Sequence, residues 1–466
     1  MTRIVTLSIG LASSCLAAAV LASPQTADLR APAVVNASQQ IRPASIRAHM
    51  AFLADDLLEG RGTATRGYEI AARYVATQLE AIGLEPGVDG VWFQQQVPLR
   101  RSELIAEGSG VEVFRAGGKR EKLAFGRDYV MSGDFRELTT VKAPVVFVGY
   151  GVTAPERGYD DYAGVDVKGK IVAFFGGAPA SFAPEERAHY SAAPVKADNA
   201  AAHDAVGILR LWSGEDEKSG PWSRLVQSLG SLGTFAWLEN GQAHGEFPQI
   251  HGSARLGPAA SQALFTGAAV PYAEAQAKPA PAALPIEVRM VKRSRLADLI
   301  GTNVVGLLRG SDPALAKEYV VFSAHLDHLG IGEPVNGDAI YNGAIDNASG
   351  VASLIEIARA FAALPERPRR SLLFVAFTAE EAGLIGSDYF VHNPPVPLAS
   401  IVADVNIDGS SMWPFNALFA RGAEHSTLAA AVIGILNSHG WVAEGLVARA
   451  SRTHCGALVL PEPQCR

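Results

Sequence analysis

Cysteine is almost absent from this chain. Three cysteines in 466 residues, Cys15, Cys455 and Cys465, exclude a thiolate zinc site and a disulfide framework, so any bound metal must be held by histidine and carboxylate. An exported chain could still join Cys455 and Cys465 in a single disulfide. Positive charge is also scarce. Lys and Arg number 40 against 47 Asp and Glu, a net charge of -7, which removes the electrostatic footprint of a nucleic-acid partner. Beyond the N-terminus no apolar run approaches the length of a membrane span. What remains is the balance of an ordinary soluble globular protein, 48% hydrophobic and 19% charged, long enough for two or three domains.

The N-terminus reads as a processing signal. Arg3 precedes an Ala/Leu-rich run over residues 4 to 22, and Val20-Leu21-Ala22 places small residues before a cut at Ser23. The residues ahead of Cys15 make a poor lipobox. The expected location is therefore outside the cytoplasm, periplasmic or extracellular, with no stable membrane span once the leader is removed.

Residues 66 to 82 carry Ile70, Tyr74, Val75, Leu79 and Ile82 at helical spacing, with Gly83 as a stop. From Val141 the texture changes to short apolar runs, VVFVGYG and KIVAFFGG, which read as strands, followed by a helix around residues 197 to 206. An Ala/Pro-rich stretch over residues 266 to 285 reads as a linker or domain edge. After it strands and helices alternate: NVVGLL, EYVVFSA, a helix from Ser349, SLLFVAF, a helix after Glu381, and IVADVNI. This alternation predicts an α/β fold, a mostly parallel sheet with helices on both faces. Ligands in such sheets gather at the carboxyl ends of the strands.

His325, Glu380, Glu381 and Asp408 fall at those ends, and Asp346 immediately precedes a helix. Each has an ordinary explanation when taken alone. His325 could be a loop histidine paired with an acid. Thr378 to Glu381 fits a helix capping box. Asp346 could start a helix, and Asp408 could sit in a turn. Together they are harder to dismiss, because adjacent carboxylates at the mouth of a buried strand are costly without compensating charge. A metal compensates one, and the other can take a proton from water as a general base. Asp327 is close enough to orient the His325 imidazole.

The series SAHLDHLG, NGAIDNASG, FTAEEAGLIGS and Asn406-Ile407-Asp408 resembles peptidase family M28, the co-catalytic zinc peptidases. The resemblance covers most of residues 44 to about 425. It implies that His325 and Asp408 bind one zinc, Asp346 bridges two, Glu381 binds the second, and Glu380 is the general base with Asp327 behind His325. Ile345 stands where an acid is common in the family. Residues 136 to 285, with DDYAGVDVKGKIV and KADNAAAHDAVGIL, resemble the protease-associated domain, a β-rich α+β insert. The expected organisation is a signal over 1–22, peptidase parts over 23–135 and 286–466, and the insert over 136–285.

The resemblance also implies a last ligand, usually a histidine, well after Asp408. The tail VARASRTHCGALVLPEPQCR has no recognisable version of its motif. His454 follows Ser-Arg-Thr, and His439 reads as part of an ordinary helix end. The C-terminus thus reads as truncated or altered, with one well-occupied zinc site and one weak site unless His454 supplies the ligand. The expected function is an exported metallo-aminopeptidase acting on peptide N-termini. A glutamate carboxypeptidase-like enzyme and a catalytically impaired binding ectodomain of the same fold are the alternatives. Substrate side-chain preference and oligomeric state are not legible.

Overall fold

The computed structural model of the chain describes residues 32–228 and 233–409. Residues 1–31, with Cys15 and the expected leader, and residues 410–466, with His439, His454, Cys455 and Cys465, lie outside the described residues.

The elements that build the candidate site run in this order: α1 (Arg66–Ile82), β1 (Gln94–Leu104), β2 (Thr234–Glu239), β3 (Ala282–Leu308), β4 (Tyr319–His325), α2 (Gly350–Ala362), β5 (Ser371–Phe377), α3 (Ile385–His392) and β6 (Ile401–Asn406). They form one continuous sheet in the spatial order β2-β1-β3-β5-β4-β6. The expected parallel sheet is its C-terminal part, where β4 pairs in parallel with both β5 and β6. The flanking strands β3, β1 and β2 run antiparallel, so the sheet as a whole is mixed.

Strand β5, SLLFVAF, is buried at every position, as a strand covered on both faces must be. The alternation of its side chains divides the covering helices. Leu372, Phe374 and Ala376 pack into a core with Val75 and Leu79 of α1 and Val351, Leu354 and Ile355 of α2. Leu373, Val375 and Phe377 face the other way, with Phe390 of α3. Helices therefore cover both faces.

Local signals set several boundaries. Helix α1 starts where the Thr65 side chain accepts from Tyr68 N, and stops at Gly83, whose φ of 92° suits glycine. The start of VVFVGYG and the IVAFF of KIVAFFGG lie in parallel-paired strands at Leu138–Phe147 and Ile171–Phe175. The helix expected at residues 197 to 206 lies at Ala193–Ala202.

The Ala/Pro-rich stretch is not a plain linker. It includes a short helix, Tyr272–Ala277, and then opens β3 at Ala282. This 27-residue strand pairs first with Leu138–Phe147 and Gly110–Arg115 and then with β1 and β5. Its two halves belong to different parts of the sheet, each with its own buried cluster. No helix among the described residues is long and apolar enough to cross a membrane.

Candidate metal centre

Three parallel strands bring their ends to one place. His325 is the last residue of β4, Glu380 and Glu381 follow β5, and Asp408 follows β6. Asp346 arrives from the turn Ala344–Ser349, just ahead of α2.

His325 is 2% exposed. Its Nδ1 lies 3.1 Å from the Asp327 carbonyl oxygen. Donation from Nδ1–H to that carbonyl leaves Nε2 facing the acids. Nε2 is 2.9 Å from Asp346 Oδ1 and 3.2 Å from Asp408 Oδ1. His325, Asp346 and Glu381 each offer a donor atom within 4.8 Å of the others. Glu380 Oε2 stands 3.9 Å from His325 Nδ1, beside this group.

The orienting contact to His325 comes from the Asp327 main chain. The Asp327 carboxylate is 4.0 Å from Nδ1 and does a different job. It is fully buried and accepts from Thr63 Oγ1 at 3.0 Å, Glu380 N at 3.0 Å and Glu381 N at 3.3 Å. Asp327 thus holds the backbone of the turn that carries both glutamates.

Burial opposes a charge on His325, yet the contacts with Asp346 and Asp408 and the fields of Asp327 and Glu380 hold its pKa well above the ordinary imidazole value. Burial would raise Asp346, but His325, His328 and Arg61 bring it below the usual carboxylate range. Burial, with the charges of Asp327, Glu381 and Asp408 adding to it against His325, pushes Glu380 up to about 8. This is a cluster of acids short of positive charge, with one imidazolium as the central cation.

A divalent cation fits that deficit. Asp346 Oδ1 is buried and lacks an aligned hydrogen-bond donor, although it lies close to His325. Imidazole with carboxylates is a donor set suited to zinc. These residues fit the metal.

Three residues that the sequence reading leaves unassigned help build the centre. His328, in the same SAHLDHLG segment, places Nδ1 2.6 Å from Glu381 Oε1. Arg61 has no exposed surface; it donates to Leu326 O at 2.9 Å, Asn342 O at 2.7 Å and Gly343 O at 2.9 Å, and also to Leu53 O. It thereby joins the loop after His325 to the loop before Asp346. Asn347 donates to Ile407 O at 2.8 Å, and its Oδ1 accepts from Gly350 N at 3.0 Å and Gly409 N at 3.3 Å. That clamps the Asp346 turn to the Asp408 segment. Ile345, just before Asp346, is 48% exposed.

Residues 303–441 match the model of peptidase family M28. The aminopeptidase NAALADL1 of Mus musculus is 34% identical over 128 residues, 26% of this chain and 15% of the relative. A probable glutamate carboxypeptidase of Arabidopsis thaliana is 38% identical over 110 residues, 23% of this chain and 14% of the relative. Leupeptin-inactivating enzyme 1 of Streptomyces exfoliatus is 34% identical over 109 residues, 23% of this chain and 22% of the relative. The chain therefore spans less than a quarter of the length of these curated relatives. Among solved structures, an aminopeptidase from Aneurinibacillus sp. is similar with a TM-score of 0.47 at 18% identity, over 84% of this chain and 75% of that one. The segment matched by the peptidase family M28 model contains every acid and imidazole of the centre just described.

Proposed function

We propose that the protein is an exported zinc-dependent aminopeptidase that removes N-terminal residues from peptides. The observation that carries this reading is the convergence of His325, Asp346, Glu381 and Asp408 at the carboxyl ends of parallel strands, with Glu380 alongside. His325, Asp346 and Asp408 would hold one zinc. Asp346 and Glu381 would hold a second, more weakly unless His454 adds a ligand. Zinc bound there supplies a Lewis acid that polarises the scissile carbonyl and makes water more acidic.

The chain's own residues do the rest. Glu380, set beside the ligands, takes a proton from the attacking water and returns it to the departing amine. Asp327 and Thr63 keep Glu380 in place by fixing its backbone. Residues 136 to 285 are assigned the role of a protease-associated insert shaping access to the site, and residues 1–22 that of an export signal.

The test is hydrolysis of free-amine aminoacyl nitroanilides, set against dipeptides with a blocked amine and a free C-terminal glutamate. Turnover of the first class that falls about 10²–10⁴-fold in Glu380→Gln, with zinc content unchanged, is the expected result. Turnover of the second class alone would move the assignment to a carboxypeptidase. Absence of both would leave a binding ectodomain.

A further inference from the structure

A second cluster of metal-type side chains, sharing no residue with the centre above, joins α3 to the hairpin following β2. We propose that His244, Asp388 and His392 form a separate site for one divalent transition metal, of the zinc class, that clips α3 to the hairpin following β2.

The three side chains come from two elements that are remote in sequence. Asp388 and His392 stand one turn apart on α3 and share a face. His244 follows the short strand Gln242–Ala243 that folds back on β2. One donor atom from each residue lies within 4.8 Å of the other two. Around tetrahedral zinc, with ligand bonds of roughly 2.0–2.2 Å, donor atoms sit closer than that. His392 and Asp388 side chains are 45% and 44% exposed and have room to close the gap.

What distinguishes the cluster from a chance surface group is its supporting shell. His244 Nδ1 lies 3.1 Å from Glu239 Oε2, which directs its Nε2 toward Asp388 Oδ2, 3.8 Å away. Nδ1 of His392 lies 2.9 Å from the Asp388 carbonyl oxygen, so donation there also leaves the lone pair on Nε2. Asp388 Oδ2 accepts from Trp237 Nε1 at 2.6 Å, and the His244 ring stacks on Trp237 at 4.0 Å. A carboxylate or carbonyl behind each ligating imidazole is the arrangement that fixes tautomer and ring direction at metal sites. Two imidazoles and one carboxylate are a zinc donor set that leaves a fourth position open. Next to it, a cleft of about 260 Å³ is lined by Trp237, Asn240, Tyr389 and His392.

The position gives the clip a consequence. Helix α3 begins directly after the acid-bearing turn, where Leu384 N donates to Glu380 O and Gly386 N to Thr378 O. A metal here would fix the helix that follows that turn.

The experiment is zinc counting by elemental analysis on the full chain, after equilibration with buffered zinc. It uses wild type, His244→Ala/His392→Ala, Asp346→Asn, and the three changes combined. The expected result is one zinc fewer in the double variant than in wild type, with the same decrement in the Asp346→Asn background. Glu239→Gln should keep the ion but bind it about 10–100-fold more weakly by calorimetry. Equal zinc counts in wild type and the double variant would overturn the proposal. If the double variant does not fold, as read by circular dichroism, His392→Ala alone and Glu239→Gln decide it by the same counts and affinities.

Discussion

Arg61 shows how one side chain can hold a site without touching its chemistry. Its guanidinium donates to main-chain carbonyls on both loops that frame the centre, and burial draws its pKa down to about 10. A lysine has one donor head where the planar fork serves several carbonyls at once. Arg61→Lys should leave buried carbonyls unpaired, at about 1–3 kcal/mol each. Urea denaturation should therefore show a clear loss of stability, and an unchanged midpoint would refute this role. Asp327 invites a subtler test. Its carboxylate serves three donors, and Asp327→Asn would turn one oxygen into an NH2 group. That change should loosen the Glu380–Glu381 turn and weaken zinc binding about 10–100-fold, measured by competition with a chromogenic chelator. Equal affinity would mean that the turn is held by other contacts.

At the scale of elements, the approach of α3 to the end of β5 fixes where the glutamates emerge. Gly386 makes it possible, because a Cβ there would lie 2.1 Å from the Thr378 carbonyl oxygen. Asn303 completes the joint, accepting from Thr378 N at 3.0 Å and donating to Gly386 O at 2.9 Å. Gly386→Ala should push the helix off the strand end. The expected result is a lower thermal midpoint together with peptidase activity reduced at least tenfold, because misplacing a catalytic group by about 1 Å can cost 10²-fold. Full activity with a lowered midpoint would show that the turn is positioned independently of the helix. These joints also mark what the sequence could reveal. Apolar runs announced β4, β5 and β6, and amphipathic spacing with a glycine stop bounded α1, so the meeting of His325, Glu380, Glu381 and Asp408 at one edge was legible. Arg61 was not, since a lone arginine beside glycine carries no period, and the partners through which it joins the two loops lie more than 200 residues away. The cluster of His244 with Asp388 and His392 was hidden for the same reason, although Asp388 and His392 share helical spacing. The full length of β3 was masked by polar residues alternating along its middle.

At the scale of the whole molecule, β3 couples two halves with separate cores, since it is hydrogen-bonded into both. Loss of structure in the middle of the chain should therefore be felt at the candidate metal centre. Lys196 offers a handle for this. It is 2% exposed, with its ammonium donating to the Tyr150 carbonyl and lying 5.4 Å from the Phe174 ring. Burial lowers its pKa to about 7, with Asp161 opposing. Unfolded, the same amine titrates near 10.4. Below pH 7 both states carry the proton, and the cost of burying the charge is fully present. Between pH 7 and about 10 the unfolded chain binds more protons than the folded one, so stability rises with pH by at most about 1.4 kcal/mol per unit. Lys196→Met removes this contribution. Relative to the variant, wild type should gain in thermal midpoint from pH 7 to pH 9, with activity after heating following the same curve. A parallel pH dependence in both proteins would show that the lysine keeps its proton in the folded state up to pH 9. A midpoint gain without matching protection of activity would show that the two halves unfold separately despite their shared strand.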